Sequence, residues 1–431
     1  MAQEHHELAK VLRQKKDVAS WLDRVRASDR SRIEPSTLVQ SDAWSHQHGT
    51  IRHVSGRFFG IVGLTWREGP VQRWQSFIEQ REVGTLGFIG RRGEDGIELL
   101  VQAKAEPGNV GIVQLAPTCQ ATASNRDRVH GGHTPPYSEY FSSPLREIIS
   151  DSLQSEEGTR FFGKLNRNIL VLDDHVEVQD DQHRWVPFDV LRQLLTEDFM
   201  VNTDARSVLC TTDWVRLADR LPFQGDDDFS RELNASFTRP IRGDVLERTA
   251  AGLQELQTAC PTVEICPLEK MPGWRFDPCN PTTMTDGRLS IRHIRVHAET
   301  REVTNWDQPI FDNEFEQTID LDCGRANGTL QFGFRLCWEP GLHAGAELAP
   351  TRVGSLTSAT APRLERLTAR QSTEGGRFFR DIVNYHIVDI GELRPEDGVV
   401  WLTLAEIHAL LPRGVFNNEA RSALSLLLSL A

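Results

Sequence analysis

Gln102, Lys104 and Glu106 stand at every second position of a strand-like run that opens with Leu99-Leu100-Val101. In an extended strand that period puts the three side chains on one face. Pro107-Gly108-Asn109 then turns the chain. A second apolar run delivers Gln114 and Gln120. A polar loop follows with Ser124, Asn125, Arg126, Arg128, His130 and His133, closing on Tyr137, Tyr140 and Phe141. A carboxylate, an ammonium, amides, guanidiniums and imidazoles are thus gathered in about forty residues. Such a set can move protons near neutral pH and hold a polar ligand. Alternating polar residues also serve simply as the wet face of a sheet. The density of the set, more than any one member, points to a site.

What must position these groups is bounded by size and composition. The chain has 431 residues, too many for one simple core, so two domains are expected. Hydrophobic residues at 39% and charged residues at 25% suit a globular protein. A formal net charge of −13 argues against nucleic acid as partner but leaves room for a small anion in a local Arg/Lys pocket. The first 25 residues read as an amphipathic surface helix without a signal-peptide core. No apolar run reaches membrane-spanning length, so a cytoplasmic location without membrane association is expected. The seven cysteines lack paired metal-ligand spacing, and no metal site is expected.

The chain repeats itself. Glu106-Pro107-Gly108 recurs as Glu339-Pro340-Gly341, and Leu115-Ala116-Pro117-Thr118 as Leu348-Ala349-Pro350-Thr351. The segment 154–162, QSEEGTRFF, recurs at 371–379 as QSTEGGRFF. Trp185-Val186-Pro187 before a helix is matched by Trp401-Leu402-Thr403, and Asp204-Ala205-Arg206-Ser207 by Glu419-Ala420-Arg421-Ser422. Within each copy, strands come first (57–64, 84–89, 97–101 and 168–172 in the leading one) and short helices late, an α+β order. The expected organisation is a helical segment 1–50, a first repeat 51–214, a packed connector 215–288 with a helix over 246–258, and a second repeat 289–431.

The copies differ where chemistry would sit. Gln102, Lys104, Asn109 and Gln120 correspond to Arg335, Cys337, Leu342 and Val353. The polar loop has shrunk to 355–361. The first repeat is therefore expected to hold the working pocket, and the second to be largely architectural.

The segments SGRFFGIVGLTWREG, QAKAEPGN, QLAPT, RVHGG and LQSEEGTRFF, with their weaker second copies, resemble the sugar-nucleotide 2,3-dehydratases. One departure is Arg126, which follows Asn125 where the family has a tyrosine. The resemblance implies two tandem Nudix-like mixed-sheet domains from an internal duplication, a homodimer, and action on dTDP-4-keto-6-deoxyglucose in deoxysugar and antibiotic biosynthesis. The Nudix metal-binding helix pattern is absent from both halves, and the implied reaction needs no cofactor. A C3 proton made acidic by the C4 ketone is removed, an enolate forms, and the C2 hydroxyl leaves with a proton from an acid. The product is a 3,4-diketo-2,6-dideoxy sugar nucleotide, to be consumed by an NADPH-dependent 3-ketoreductase.

On that resemblance His130 is the expected base or acid, with Lys104 at the enolate and Glu106 and Tyr137 as further catalytic candidates. Arg128 and Arg160 are expected on the diphosphate, and Trp66 on the thymine. Gln102, Asn109, Gln120, Ser124, Asn125 and Gln154 are expected on sugar hydroxyls or the base edge. The competing readings are a Nudix-type nucleotide-sugar hydrolase and a non-catalytic nucleotide-sugar binding protein.

Overall fold

The computed structural model describes residues 2–94, 96–122, 133–142, 146–218, 220–223, 225, 227–277, 279, 289–301, 303–313, 315–354, 363–393 and 396–430. It is an α+β assembly of mixed sheets. Two of them have seven strands and run through the same strand order.

The leading sheet runs Glu147–Ser155, Leu165–Leu172, Gly84–Gly93, Gly96–Ala105, His183–Pro187. Val113–Ala116 pairs with the fourth of these and Cys119–Ala121 with the third. The trailing sheet runs Leu364–Ser372, Ile382–Glu392, Gln317–Ala326, Thr329–Trp338, Val399–Leu402, with Ala346–Pro350 and Arg352–Val353 in the corresponding places. In both, the central strand pairs parallel with one neighbour and antiparallel with the other. Such strands are buried on both faces and read as apolar runs; Leu99, Leu100 and Val101 are fully enclosed.

The recurrent Leu-Ala-Pro-Thr has a physical reason. Thr118 Oγ1 accepts a hydrogen bond from the Ile89 amide at 2.9 Å and donates to the Leu100 carbonyl. Thr351 Oγ1 accepts from Asp322 N and donates to Asp320 O, both at 2.9 Å. In each repeat the threonine hydroxyl satisfies backbone groups just beyond the point where the two neighbouring strands stop pairing with each other.

Helices Thr203–Thr211 and Asn418–Ser425 pack against each other between the sheets. Asn202 caps the first, accepting from Ala205 N, and Asn417 the second, accepting from Ala420 N, each at 2.9 Å. One buried apolar cluster takes in both sheets and both helices, from Leu86 and Val101 to Phe332 and Leu424. The two halves therefore share a core.

A six-stranded sheet built mainly from residues 44–79 and a three-stranded sheet of Arg32–Ser36, Leu289–His297 and Asn305–Asn313 lie outside these layers. In the connector, helix Gly243–Ala259 packs on the trailing sheet, and strand Glu264–Cys266 joins Gly60–Glu68. The amino-terminal helix Ala2–Ser28 is not merely superficial, since Val18, Trp21 and Leu22 are buried in the shared core. Among the described residues no helix is long and apolar enough to cross a membrane.

The repeats dock reciprocally. Gly108 N donates to Gly375 O and Arg380 N to Gly108 O, each at 2.7 Å. Gly341 N donates to Gly158 O at 2.7 Å and Gly163 N to Gly341 O at 2.8 Å. A Cβ on Gly108 would collide with the Phe378 carbonyl oxygen, and one on Gly341 with that of Phe161. Each Glu-Pro-Gly turn is thus seated on the Glu-Gly segment of the other repeat.

Candidate active site

Strand Gly96–Ala105 carries Lys104 to its end, and the next residue, Glu106, begins the turn. Both are buried. Lys104 Nζ donates to the Gln120 carbonyl at 3.1 Å. Glu106 Oε1 accepts from Gln120 Nε2 at 2.9 Å, and Oε2 from Asn109 Nδ2 at 3.3 Å. Gln120 is itself oriented by Asn202 Nδ2, which donates to its Oε1 at 3.1 Å. A lysine and a carboxylate are therefore fixed side by side by amides, one of which caps a buried helix.

These groups line a polar recess of about 80 Å³ together with Glu156, Lys164, Asn166, Asp204 and Glu374. Burial raises Asp204 well above the usual carboxyl range, with Glu156 and Glu374 adding to it and Lys104 opposing. Burial likewise raises Glu156, against Arg421 and Lys164, and lowers Lys164, against Glu156. Such opposed perturbation in one cavity marks a place equipped for proton transfer.

The recess adjoins a cleft of about 510 Å³; Gln80, Thr122, Arg301, Gly376 and Arg377 line both. The cleft has an aromatic wall. Trp44 lies 4.7 Å from Phe59 between ring centroids, and His53 lies 4.5 Å from Phe58, with Trp306 also in the lining. Arg377 stacks over Phe59 at 4.1 Å and donates to Gln80 Oε1 at 3.0 Å. Arg301 donates to the Ala105 carbonyl at 2.8 Å. Aromatic faces, then two guanidiniums, then an acid–base recess is a sequence of surfaces that fits a base, a diphosphate and a sugar.

The predicted residues divide into those at the cavity and those elsewhere. Lys104, Glu106 and Gln120 line the recess, and Asn109 holds Glu106. Gln102 and Lys104 border a neighbouring hollow of about 250 Å³ with His133. Ser124, Asn125, Arg128 and His130 lie outside the described residues.

Tyr137 is placed differently from its expected catalytic role. Its hydroxyl donates to Glu177 O at 3.4 Å and accepts from Gln179 N at 2.8 Å, and its ring packs on His183. Gln154 is spent on Ser152 Oγ and the Leu411 carbonyl, at 2.9 and 3.1 Å. Trp66 packs against Trp338 and Phe77 in a separate apolar cluster. Arg160 is buried in ion pairs with Asp381 and Glu157, away from the cleft.

Reciprocal docking explains the Arg160 displacement. Its copy in the second repeat, Arg377, reaches the leading repeat's cleft, while Arg160 reaches across to the trailing side. The second repeat, expected to be largely architectural, contributes to both cavities: Glu374, Gly376, Arg377, Arg301 and Trp306 all follow residue 288 and line the cleft, the recess or both. Repetition of QSTEGGRFF carried the signal, but a repeat shows which residues correspond, not which copies touch.

The comparable place beside the trailing sheet has Cys337, Glu339, Glu347 and Glu419 with Glu157 from the leading repeat. Leu342 closes on Gly158 there. Glu339 and Glu347 are pushed up to about 7 by burial, opposed by hydrogen bonds from Asn417 and Ser155 respectively. Among the described residues no cluster of His, Cys, Asp or Glu suited to a metal ion is found.

The sequence model of a family described as NDP-hexose 2,3-dehydratase matches residues 15–211, 251–358 and 354–427. The chain belongs to that family. It is 31% identical to the dTDP-4-dehydro-6-deoxy-alpha-D-glucopyranose 2,3-dehydratase of Amycolatopsis orientalis over 442 aligned positions, covering 95% of this chain and 89% of the relative. Similar are enzymes of the same name from Saccharopolyspora spinosa, 31% identical with 88% and 83% covered, and Streptomyces violaceoruber, 33% identical with 90% and 91% covered.

Proposed function

We propose that this chain removes water across C2 and C3 of dTDP-4-keto-6-deoxyglucose, giving the 3,4-diketo-2,6-dideoxy sugar nucleotide. The observation that carries this reading is that the aromatic, arginine-lined cleft adjoins the recess holding Lys104 and Glu106 and shares five wall residues with it. The names of relatives that align with most of the chain support the same substrate.

In this reading thymine stacks on the Trp44/Phe59/Trp306 wall, Arg301 and Arg377 take the diphosphate, and the C2–C4 edge of the hexose faces the recess. Glu106, held by Gln120 and Asn109, removes the C3 proton. Lys104 places a positive charge at the enolate oxygen on C4. His130 is the other candidate base. Glu106→Gln and His130→Ala, compared for C3 hydrogen exchange in D2O, distinguish the two. The equal strand order of the two large sheets supports reading the chain as duplicated Nudix-like units. The reactivity of a vicinal diketone supports immediate reduction by an NADPH-dependent 3-ketoreductase; assembly as a homodimer is part of the same proposal, tested by sedimentation.

The decisive experiment incubates the protein with dTDP-4-keto-6-deoxyglucose and traps product with a 3-ketoreductase and NADPH. Formation of a 2,6-dideoxy product is expected. EDTA-sensitive release of dTMP, or binding without turnover, would overturn the dehydratase reading.

A further inference from the structure

The trailing repeat brings a carboxyl group to the recess that no part of the foregoing assignment uses. Glu374 lies in the segment joining strands Leu364–Ser372 and Ile382–Glu392. That segment is clamped under the leading repeat's turn. Gly108 N donates to Gly375 O at 2.7 Å, and Val110 N and Gln114 Nε2 both donate to Ser372 Oγ at 3.0 Å. A Cβ on Gly375 would collide with the Asn109 side chain, so the segment has no room to shift. A carboxyl held this way is positioned before substrate arrives.

It shares the lining of the recess with Glu106. The point where a Cβ on Gly376 would sit is 3.1 Å from Glu374 Oε1 and 3.9 Å from Glu106 Oε1. Gly376 belongs to the lining of both cleft and recess. Both carboxyls thus approach the space left by residue 376, which has no side chain; the leading repeat has Thr159 there. Glu374 is half-buried and lines the recess. Asp204, by contrast, is only 4% exposed.

Building on the dehydratase reading above, we propose that Glu374 is the catalytic residue that protonates the departing C2 hydroxyl. In the step the C2–O bond breaks and its electron pair takes up the Glu374 proton, releasing water. The enolate electrons on C3 form the C2=C3 bond and the C4 carbonyl is restored. The C3 enol then moves its proton to C2, leaving the 3,4-diketone. No external oxidant or reductant enters. A group with this task must carry a proton when substrate binds. Burial pushes Glu374 up to about 7, opposed by Arg377 and reinforced by Glu156 and Glu106.

The test separates proton removal at C3 from loss of the C2 hydroxyl. Glu374→Gln is incubated with dTDP-4-keto-6-deoxyglucose in D2O, and C3 deuteration and trapped diketo product are followed. The expected result is continued C3 exchange with dehydration reduced by at least about a hundredfold. Undiminished dehydration overturns the assignment, as does loss of exchange together with dehydration in a variant that melts normally and binds dTDP. Should the glutamine variant fail to fold, Glu374→Asp decides. Exchange outpacing elimination supports the role, and an unchanged ratio of the two rejects it. A wild-type protein that forms no diketo product would instead sink the dehydratase reading itself.

Discussion

At the scale of single residues, the contrast between Arg160 and Arg377 makes the sharpest comparison. They are copies of one ancestral-looking position, yet one is locked between Asp381 and Glu157 and the other stacks on Phe59 at the edge of the cleft. Removing a guanidinium from a buried ion pair leaves uncompensated charge and costs about 3–5 kcal/mol. Removing one that grips a phosphate weakens binding instead. Arg160→Ala should therefore lower the melting temperature, while Arg377→Ala should raise the Kd for dTDP by roughly tenfold or more with little change in melting. Calorimetric titration and thermal scans on both variants check this, and weakened dTDP binding confined to Arg160→Ala would refute it. Lys104 makes a complementary case, because the proposed reading sets it at the C4 end of the hexose and not at the nucleotide. Lys104→Ala is expected to cut turnover by more than about tenfold, with dTDP affinity nearly unchanged.

At the scale of elements, the two Glu-Pro-Gly turns are legible in the sequence as turns, and Gln102 and Lys104 as strand residues, while Glu106, expected on the same strand face, falls just past the strand's end. Periodicity and turn chemistry are local properties, which is why they can be read. The seating of each turn on the opposite repeat is not legible, because it is fixed by tertiary packing between segments 178 to 272 residues apart. The same limit hides Glu374 and Arg377 from any account of the leading pocket, and it misplaces Arg160. Asp204 is inconspicuous because a buried acid at a helix start resembles an ordinary first-turn residue. Trp66 is expected on the thymine from the sequence, but the structure buries it against Trp338 and Phe77. The docking leads to a paired prediction. A methyl group at Gly108 or Gly341 meets a carbonyl oxygen of the other repeat, and such overpacking costs about 1–3 kcal/mol. Both Gly108→Ala and Gly341→Ala should melt earlier. Only Gly108→Ala should also lose activity at a permissive temperature, since its turn carries Glu106 and Asn109.

At the scale of the whole molecule, the shared core encloses an unusual number of carboxyl groups, and this sets how stability should vary with pH. Burial holds Glu419 up at about 8, with Glu339 adding to it; Glu339 and Glu347 are held near 7. In the unfolded chain these groups titrate at the ordinary 4.5. Between 4.5 and their folded values the native state binds more protons than the unfolded one, so stability declines as pH rises. Their contribution is complete below about pH 4.5 and is lost as pH climbs through 7 to 8. Carboxylates depressed by partners act in the other direction. Asp389 beside Arg325 and Arg366, and Glu406 beside Arg242, remain below the usual range despite burial, and their support fades only in acid. The two groups together place the stability maximum on the mildly acidic side of neutrality. Melting temperature should therefore fall steadily from pH 5.5 to 8.5, and Glu419→Gln, which cannot ionise, should flatten that fall. At pH 8.5 the substitution is expected to stabilise the fold by roughly 2 kcal/mol relative to its effect at pH 5.5, because each tenfold gain in proton affinity on folding is worth about 1.4 kcal/mol and the site relaxes somewhat when it ionises. A melting temperature that rises across this interval, or a Glu419→Gln profile parallel to the wild type, would show that these carboxyls ionise in the native core without penalty.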